Sequence, residues 1–340
     1  MLFGKEILKS NKPKNSFSII ICTYNPNKIL LNRLFNAIKK FESNKLNYEV
    51  ILVDNNSTVR LNLEKYVRDF LTETQAKLIL EEKPGLTSAR IAGIKEAKGK
   101  WLVFFDDDNE PAHDYLVKAK HEIIQFPDVI AWGPSQIKVE FMGTTNPWFL
   151  KNEHLFQAKD INQTQFANDS HWQSCYPFGT GLIIRNDIAK LYAIRVLENR
   201  YTLTDRKGKS LASGGDVQLV MTGIEQGFLA GVIGGLKINH IIDQKKTQLP
   251  YILKMEYGTA SAYVKAYNQV FQKRPIQIKE ISNWDVILKV YSLFRIHRNK
   301  MCRRDFRIFF ASKMGELNAV CQVTIKKPLV IRVYEKLIGV

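Results

Sequence analysis

Short apolar runs, each closed by a polar or acidic cluster, recur through the first 130 positions. Phe17-Ser-Ile-Ile-Ile-Cys22 stops at Thr23-Tyr-Asn-Pro26, and Tyr48-Glu-Val-Ile-Leu-Val53 stops at Asp54-Asn-Asn-Ser57. Trp101-Leu-Val-Phe-Phe105 runs directly into Asp106, Asp107 and Asp108. Runs of this length, bounded by turn formers, predict buried strands. Between them, apolar residues recur at helical spacing. Leu30, Leu31, Leu34, Phe35 and Ile38 mark a helix over 28–41, and others are predicted around 63–71, 86–97 and 115–124. Shorter strands are expected at 76–80 and 128–132. Gly99 is expected to close the 86–97 helix as a left-handed cap.

Strand–helix alternation of this kind predicts a doubly wound α/β sheet with helices on both faces. Such sheets bind ligands outside the carboxyl ends of their strands. The next segment, 136–176, reads as irregular. A strand is expected at 182–184, ending at Arg185, and a helix from Ser213-Gly-Gly-Asp216 to about Gln226. A glycine-interrupted strand region over 228–242 carries His240. Beyond Pro250 the pattern is helical and basic, with helices predicted at 251–271, 284–294 and 303–317. No internal repeat or low-complexity tract occurs.

The totals narrow the setting. A chain of 340 residues, 45% apolar and 24% charged, suits one large soluble domain or two smaller ones. The net charge of +17 points to anionic partners. It is uneven: from Lys273 onward 15 Lys and Arg face 5 Asp and Glu. Cys22, Cys175, Cys302 and Cys321 form no Cys-x-x-Cys pair, which argues against a disulfide framework or zinc site and for a reducing compartment. Residues 1–16 have no apolar core of signal-peptide length, and no stretch reaches 18 uninterrupted apolar residues. The expected location is cytoplasmic, with peripheral contact at the inner membrane face.

Three adjacent carboxylates at a strand end cannot all stay ionised without a cation or strong donors. Hard divalent ions take oxygen ligands, and Mg²⁺ commonly combines one or two carboxylates with substrate phosphates. A metal–diphosphate site is therefore expected at Asp106–Asp108. No Gly-x-Gly-x-x-Gly follows the first strand and no Gly-x4-Gly-Lys-Ser/Thr occurs, which excludes the usual dinucleotide and P-loop signatures.

Five motifs then occur in order: Ser18-Ile-Ile-Ile-Cys-Thr-Tyr-Asn25, Val53-Asp-Asn-Asn-Ser57, Gly85-Leu-Thr-Ser-Ala-Arg-Ile-Ala-Gly-Ile94, Phe105-Asp-Asp-Asp108 and Gly214-Gly-Asp-Val-Gln-Leu219. Together they resemble the family 2 glycosyltransferases of the GT-A fold, inverting enzymes that use nucleotide-activated sugars. The likeness covers about residues 16–240. It implies a Rossmann-like, mostly parallel sheet flanked by helices over 15–245, followed by a basic helical extension over 246–340.

The resemblance also implies roles. Thr23, Tyr24 and Asn25 would line the nucleotide pocket, and Asp54 would accept from the base's ring N–H, with a helix cap as its structural alternative. Arg90 would pair with the diphosphate or nucleotide; the Asn that usually follows it is Ile91 here. A surface ion pair with Glu82 or Glu96 is the structural alternative. Asp106 and Asp107 would face the nucleotide, while Asp108, completed by His240, would hold Mg²⁺ or Mn²⁺. Inverting transfer needs a base for the attacking hydroxyl, and the family's acid at a helix N-terminus matches Asp216, with Gly215 replacing the usual first acid. Phe178-Gly-Thr-Gly181 would pack near donor or acceptor, and Trp172 and Tyr176 could stack on an acceptor sugar.

The implied partners are a nucleotide-diphosphate sugar and a saccharide or lipid-linked saccharide acceptor. In the basic tail, Arg295-Ile-His-Arg-Asn-Lys-Met-Cys-Arg-Arg304 lacks the aromatic series of a nucleic-acid binder, so no nucleic acid is expected, and its interleaved apolar residues suit an anionic membrane surface. The rival readings are a sugar nucleotidyltransferase and a non-enzymatic basic binding module. Thr23-Tyr-Asn-Pro26 lacks the Gly-rich, basic phosphate loop the first requires. The second leaves the aspartate cluster unexplained.

Overall fold

The computed structural model describes residues 16–42, 46–206, 208, 211–277, 282–297, 299, 303–324 and 326–340. The first half alternates as expected: β1 (Phe17–Thr23), α1 (Lys28–Lys39), β2 (Tyr48–Asp54), α2 (Lys65–Thr74), β3 (Lys77–Leu80), α3 (Leu86–Glu96) and β4 (Trp101–Asp106). It continues with β5 (Asn109–Pro111), α4 (Tyr115–Gln125), β6 (Val129–Phe141), the single turn α5 (Pro147–Leu150), β7 (Lys159–Asp160), β8 (Gln165–Ala167) and β9 (Leu182–Arg185). After these come α6 (Asn186–Leu197), α7 (Gly215–Glu225), β10 (Leu229–Ile242), α8 (Leu249–Val270), α9 (Asn283–His297), α10 (Arg304–Thr324) and α11 (Leu329–Ile338).

The main path of the sheet is β3-β2-β1-β4-β9-β6-β10-β5. The first four strands are mutually parallel, β9 runs against both β4 and β6, and β10 returns parallel to β6. This is the mostly parallel, helix-flanked sheet that the sequence implies. Every residue of β1 is buried, and its alternation divides the core. Ile19 and Ile21 pack with Leu31, Leu34, Phe35 and Ile38 of α1 on one face. Ile20 and Cys22 pack with Ala89, Ile91 and Ile94 of α3 on the other. Each such fully buried aliphatic side chain stabilises the fold by about 1.5–3 kcal/mol.

Two registers build the site. Thr23 stands opposite Asp54 and Cys22 opposite Asp106, so the polar ends of β1, β2 and β4 lie level. Farther along, β5 pairs antiparallel with β10 and sets Asn109 opposite His240. That pairing carries a residue more than a hundred positions away to the side of Asp108.

The C-terminal helices share the core rather than sitting apart from it. Tyr267 and Val270 of α8 and the following Phe271 join the sheet-side cluster. Val139, Phe156 and Ile242 pack with Tyr257, Phe310 and Ile331 from α8, α10 and α11. No helix among the described residues is long and apolar enough to cross a membrane. Residues 1–15, Cys302, and Arg298, Lys300 and Met301 of the basic tail lie outside the described residues.

Several expectations need correction. The segment from 136 is not all irregular: β6 runs on to Phe141 because β10 pairs with it over most of its length. Helices α6 and α11 were not predicted. In α6, Ile188, Ala189, Tyr192 and Ala193 form a buried face that the polar Asn186-Asp187 start obscures. Gly99 is not a left-handed cap, since α3 ends at Ala97 in extended conformation (φ −68°). Its role is close approach. A Cβ there would stand 2.6 Å from the backbone of Phe17 and Ser18, and its N–H donates to Ser18 Oγ (2.8 Å). Gly99→Ala should therefore cost about 1–3 kcal/mol through overpacking against an immovable strand. Urea denaturation measures this, and an unchanged midpoint would contradict it.

Candidate active site

A cavity of about 990 Å³ opens at the carboxyl ends of β1, β2 and β4. Its wall includes Thr23, Tyr24, Asn25, Asn55, Asp106, Asp107 and Asp108 from the first half of the chain. From the second half come Arg206, Asp243, Lys245, Lys246 and Tyr251. The domain boundary expected at 245/246 thus falls within one cavity wall. Tyr24 is 62% exposed, so it is not the core residue that its aromatic ring would allow.

The loops after β1 and β2 are pinned to each other. Asn25 adopts a left-handed conformation (φ 47°), donates its N–H to Ser57 Oγ (2.9 Å) and accepts from Thr58 N–H (2.8 Å). Asp54 is buried and accepts from the N–H groups of Ser57 (2.9 Å) and Leu61 (3.2 Å). Its carboxylate orders this loop and does not line the cavity, whereas the neighbouring Asn55 does. Asn55 donates to the carbonyls of Glu81 (3.1 Å) and Lys83 (2.8 Å) and accepts from Gly85 N–H (2.8 Å), fixing the entry into α3.

The acidic triplet divides its work by environment. Asp106 borders the cavity, and its N–H donates to Asn109 Oδ1 (3.0 Å). Asp107 accepts from the Thr23 hydroxyl. Burial and then the adjacent Asp108 charge push the Asp107 carboxyl up to about 6, against the opposing pull of Lys246 and Thr23. Asp108 is buried and accepts from Lys246 Nζ. Burial alone would raise its pKa, but Lys246 and His240 outweigh burial and hold it well below the usual carboxylate range. The same attraction keeps the Lys246 ammonium above the ordinary lysine value despite its burial.

His240 completes this corner. Its Nδ1–H donates to the Phe156 carbonyl (2.8 Å), which leaves Nε2 facing Asp108 Oδ2 at 3.5 Å. A carboxylate oxygen and an imidazole nitrogen fixed side by side are donors that fit a divalent cation. Among the described residues no group of three or more His, Cys, Asp and Glu side chains converges to hold a metal. Asp108 and His240 are thus a pair that could hold a divalent ion, with substrate oxygens as its remaining ligands. The Lys246 ammonium now donates where such an ion would share Asp108.

Behind the cavity lies a second charged cluster. Arg90 on α3 is buried and pairs with Asp205 (Nη1–Oδ2, 3.0 Å), not with Glu82 or Glu96 and not with the cavity. Burial works against its charge, but Asp205, Asp216 and Asp106 outweigh burial and raise its pKa. Asp216, in the first turn of α7, is 8% exposed. It accepts from Gly179 N–H (3.0 Å) and Val217 N–H (3.0 Å), so its carboxylate is rigidly held. Like Arg90 and His240, it does not line the cavity; its link to the acidic tip runs through the field of Arg90. Gly179 lacks a side chain for a visible reason: a Cβ would stand 3.1 Å from Arg90 Nη2 and 3.2 Å from Asp216 Oδ2. Tyr176 is fully buried and so offers no sugar platform; Trp172, edge to face with it (5.5 Å), is half-buried.

Sequence reasoning missed Asp205, Arg206 and Lys246. The one available signal was position: Lys245-Lys246 follows β10 by a few residues, and Thr204-Asp205-Arg206 interrupts a loop just before the Gly214-Gly215-Asp216 motif.

A model of the family described as Glycosyl transferase family 2 matches residues 18–191, just over half of the chain, a span that ends before Asp205, Asp216 and His240. The chain is 31% identical over 96 residues to polypeptide N-acetylgalactosaminyltransferase 11 of Xenopus tropicalis, an alignment covering 27% of this chain and 16% of that relative's length. Among solved structures it is similar to S. aureus TarS 1–349, at 16% identity and a TM-score of 0.47, over 89% of this chain and 90% of that one. It is also similar to GalNAc-T7 crystallised with UDP, GalNAc and Mn2+, at 16% identity and a TM-score of 0.48, over 81% and 54% of the two chains.

The raised Asp107 has a stability consequence. An unfolded Asp titrates near about 4, whereas this one titrates at about 6 in the folded protein. The folded state therefore takes up the proton first as pH falls. The stability contributed is fully present below pH 4 and is lost as pH rises through 6. Asp107→Asn should raise Tm at pH 8 and leave it nearly unchanged at pH 4. Equal shifts in thermal scans at both pH values would contradict this assignment.

Proposed function

The chain belongs to glycosyl transferase family 2, and on that premise we propose that it moves a sugar, with inversion, from a nucleotide-diphosphate donor to a saccharide or polyprenyl-linked acceptor in surface polysaccharide assembly. The observation that carries this reading is the cavity at the strand ends, lined both by the carboxylates Asp106, Asp107 and Asp108 and by Arg206, Lys245 and Lys246. An anionic donor needs cations for its phosphates, and the charge that develops on the departing diphosphate needs neutralising. Thr23, Tyr24 and Asn25 bound the space offered to the nucleotide. Asp108 and His240 would hold Mg²⁺ or Mn²⁺, which when bound supplies Lewis-acid stabilisation to the phosphate oxygens. The curated relative is by name an N-acetylgalactosaminyltransferase, which supports sugar transfer as the reaction class.

Asp216 is the proposed base. Fixed by two N–H groups at a helix start, it takes the proton of the acceptor hydroxyl as that oxygen bonds to the anomeric carbon and the bond to the diphosphate breaks. Arg90, paired with Asp205, serves this second cluster and not the phosphates; Lys246 and Arg206 take the phosphate role given to it by its motif.

A location at the inner face of an anionic membrane is part of the proposal. On α9, Trp284 (72% exposed), Ile287, Leu288 and Tyr291 recur at i, i+3, i+4 and i+7 and so form one solvent-facing apolar stripe. The exposed Lys289 and Arg295 lie on the same helix, within the strongly basic last fifth of the chain. Apolar insertion plus cationic attraction is the chemistry of an interfacial helix.

Asp216→Asn should bind donor nucleotide like the parent protein, by calorimetry with UDP and Mn²⁺, and lose transfer by at least about 100-fold. Full activity in that variant would remove the base. Trp284→Glu with Leu288→Glu should abolish flotation with anionic vesicles while leaving transfer to a soluble acceptor unchanged; retained flotation would end the membrane reading.

A further inference from the structure

Asp205 lies outside every motif that the sequence singled out, yet it ties two helices together. Its Oδ2 accepts from Arg90 Nη1 (3.0 Å) and Gly215 N–H (3.1 Å), and its Oδ1 from Gly214 N–H (2.9 Å). Its backbone N–H donates to Thr87 Oγ1 (3.1 Å), and its carbonyl accepts from Leu86 N–H (3.1 Å). The residue is 1% exposed. It therefore joins the start of α3 to the start of α7, one residue before Asp216.

The arrangement poses a choice for Arg90. Its Nη2 and Asp216 Oδ2 both approach the same point beside Gly179, at 3.1 and 3.2 Å, so one side chain's width separates guanidinium from proposed base. Arg90 nevertheless makes its ion pair with Asp205, and Asp216 is satisfied by backbone N–H groups. A guanidinium paired directly with a carboxylate lowers that carboxylate's pKa by roughly 1–3 units and makes it a poor proton acceptor.

We propose that Asp205 is a positioning residue: by holding the Arg90 guanidinium in its own ion pair, it keeps that charge from capturing Asp216 and leaves the Asp216 carboxylate free to accept the acceptor's proton. This rests on the reading of Asp216 as the base. The other groups facing the cluster are Arg206, next to Asp205 in the chain, Tyr192 from α6, Cys22 from β1 and Asp106 from the end of β4. Gly215 fits the same logic, since a Cβ there would stand 2.6 Å from Asp205 Oδ2 and 3.3 Å from Arg90 Nη1. Any side chain at the position before Asp216 would push the pair apart.

The test is the pH dependence of kcat in four full-length variants. Asp205→Asn keeps an oxygen for the glycine N–H groups but gives up the charge. It should lower kcat at least about tenfold at unchanged donor KM. The acid limb of its kcat profile should move down by about one pH unit as Arg90 turns to Asp216. Adding Arg90→Met to Asp205→Asn should return the limb and recover part of kcat. Arg90→Met alone should move the limb up, because the Asp205 charge near Asp216 then keeps only the glycine N–H groups and Arg206 and loses its guanidinium partner; this reading survives if Asp205→Asn does not fold. A mere brace for the loop would lower Tm and kcat in Asp205→Asn with the limb unmoved, and the double variant would be no better, which overturns the proposal. Asp216→Asn separates the two claims. If it is active, the base reading falls; if it is inactive while the limb stays fixed in both single variants, only the role of Asp205 falls.

Discussion

Buried negative charge is the constraint around which this molecule is arranged. Asp108, Asp205 and Asp216 are buried, and Asp107 half-buried, in or near one strand-end region. A carboxylate there survives only if a cation or N–H donors take the place of solvent. The fold supplies both kinds. Lys246 and His240 face Asp108, Arg90 and two glycine N–H groups hold Asp205, and backbone N–H groups hold Asp216. Asp107 has a threonine hydroxyl and the field of Lys246, which do not offset burial and the adjacent Asp108 charge, and its proton affinity rises.

Partners come from distant parts of the chain. Lys246 follows β10 and His240 lies within it, both far from Asp108, and Asp205 sits in the loop before α7, far from its partner Arg90. The sheet order explains how they arrive: β9 and β6 separate β4 from β10 along the path, and β5 folds back onto β10 to close the gap. The two halves of the cavity wall are thus independent in sequence and joined only by register.

This also explains what could be read without coordinates. The strands β1, β2 and β4 and the helices between them were legible because burial on both faces writes continuous apolar runs. Thr23, Asn25 and the aspartate triplet were legible as their polar ends. Asp205 and Lys246 carried no periodic signal; each is an ordinary charged residue in a polar loop until its partner is known. Gly99 was misread for a related reason, since a glycine after a helix looks alike whether it turns the chain or lets a strand pass close. Arg90 was found by its motif, but which carboxylate it meets depends on a loop more than a hundred residues later.

The insertion of β9 between β4 and β6 has a bearing on biosynthesis. During translation the first four strands can assemble as soon as α3 and β4 have left the ribosome. The outer edge of β4 then stays open until residues 182–185 emerge, and unpaired edges of this kind invite intermolecular pairing. Between the end of β4 and the end of β9 lie some eighty residues, and until they are made that sheet margin has no partner strand from its own chain.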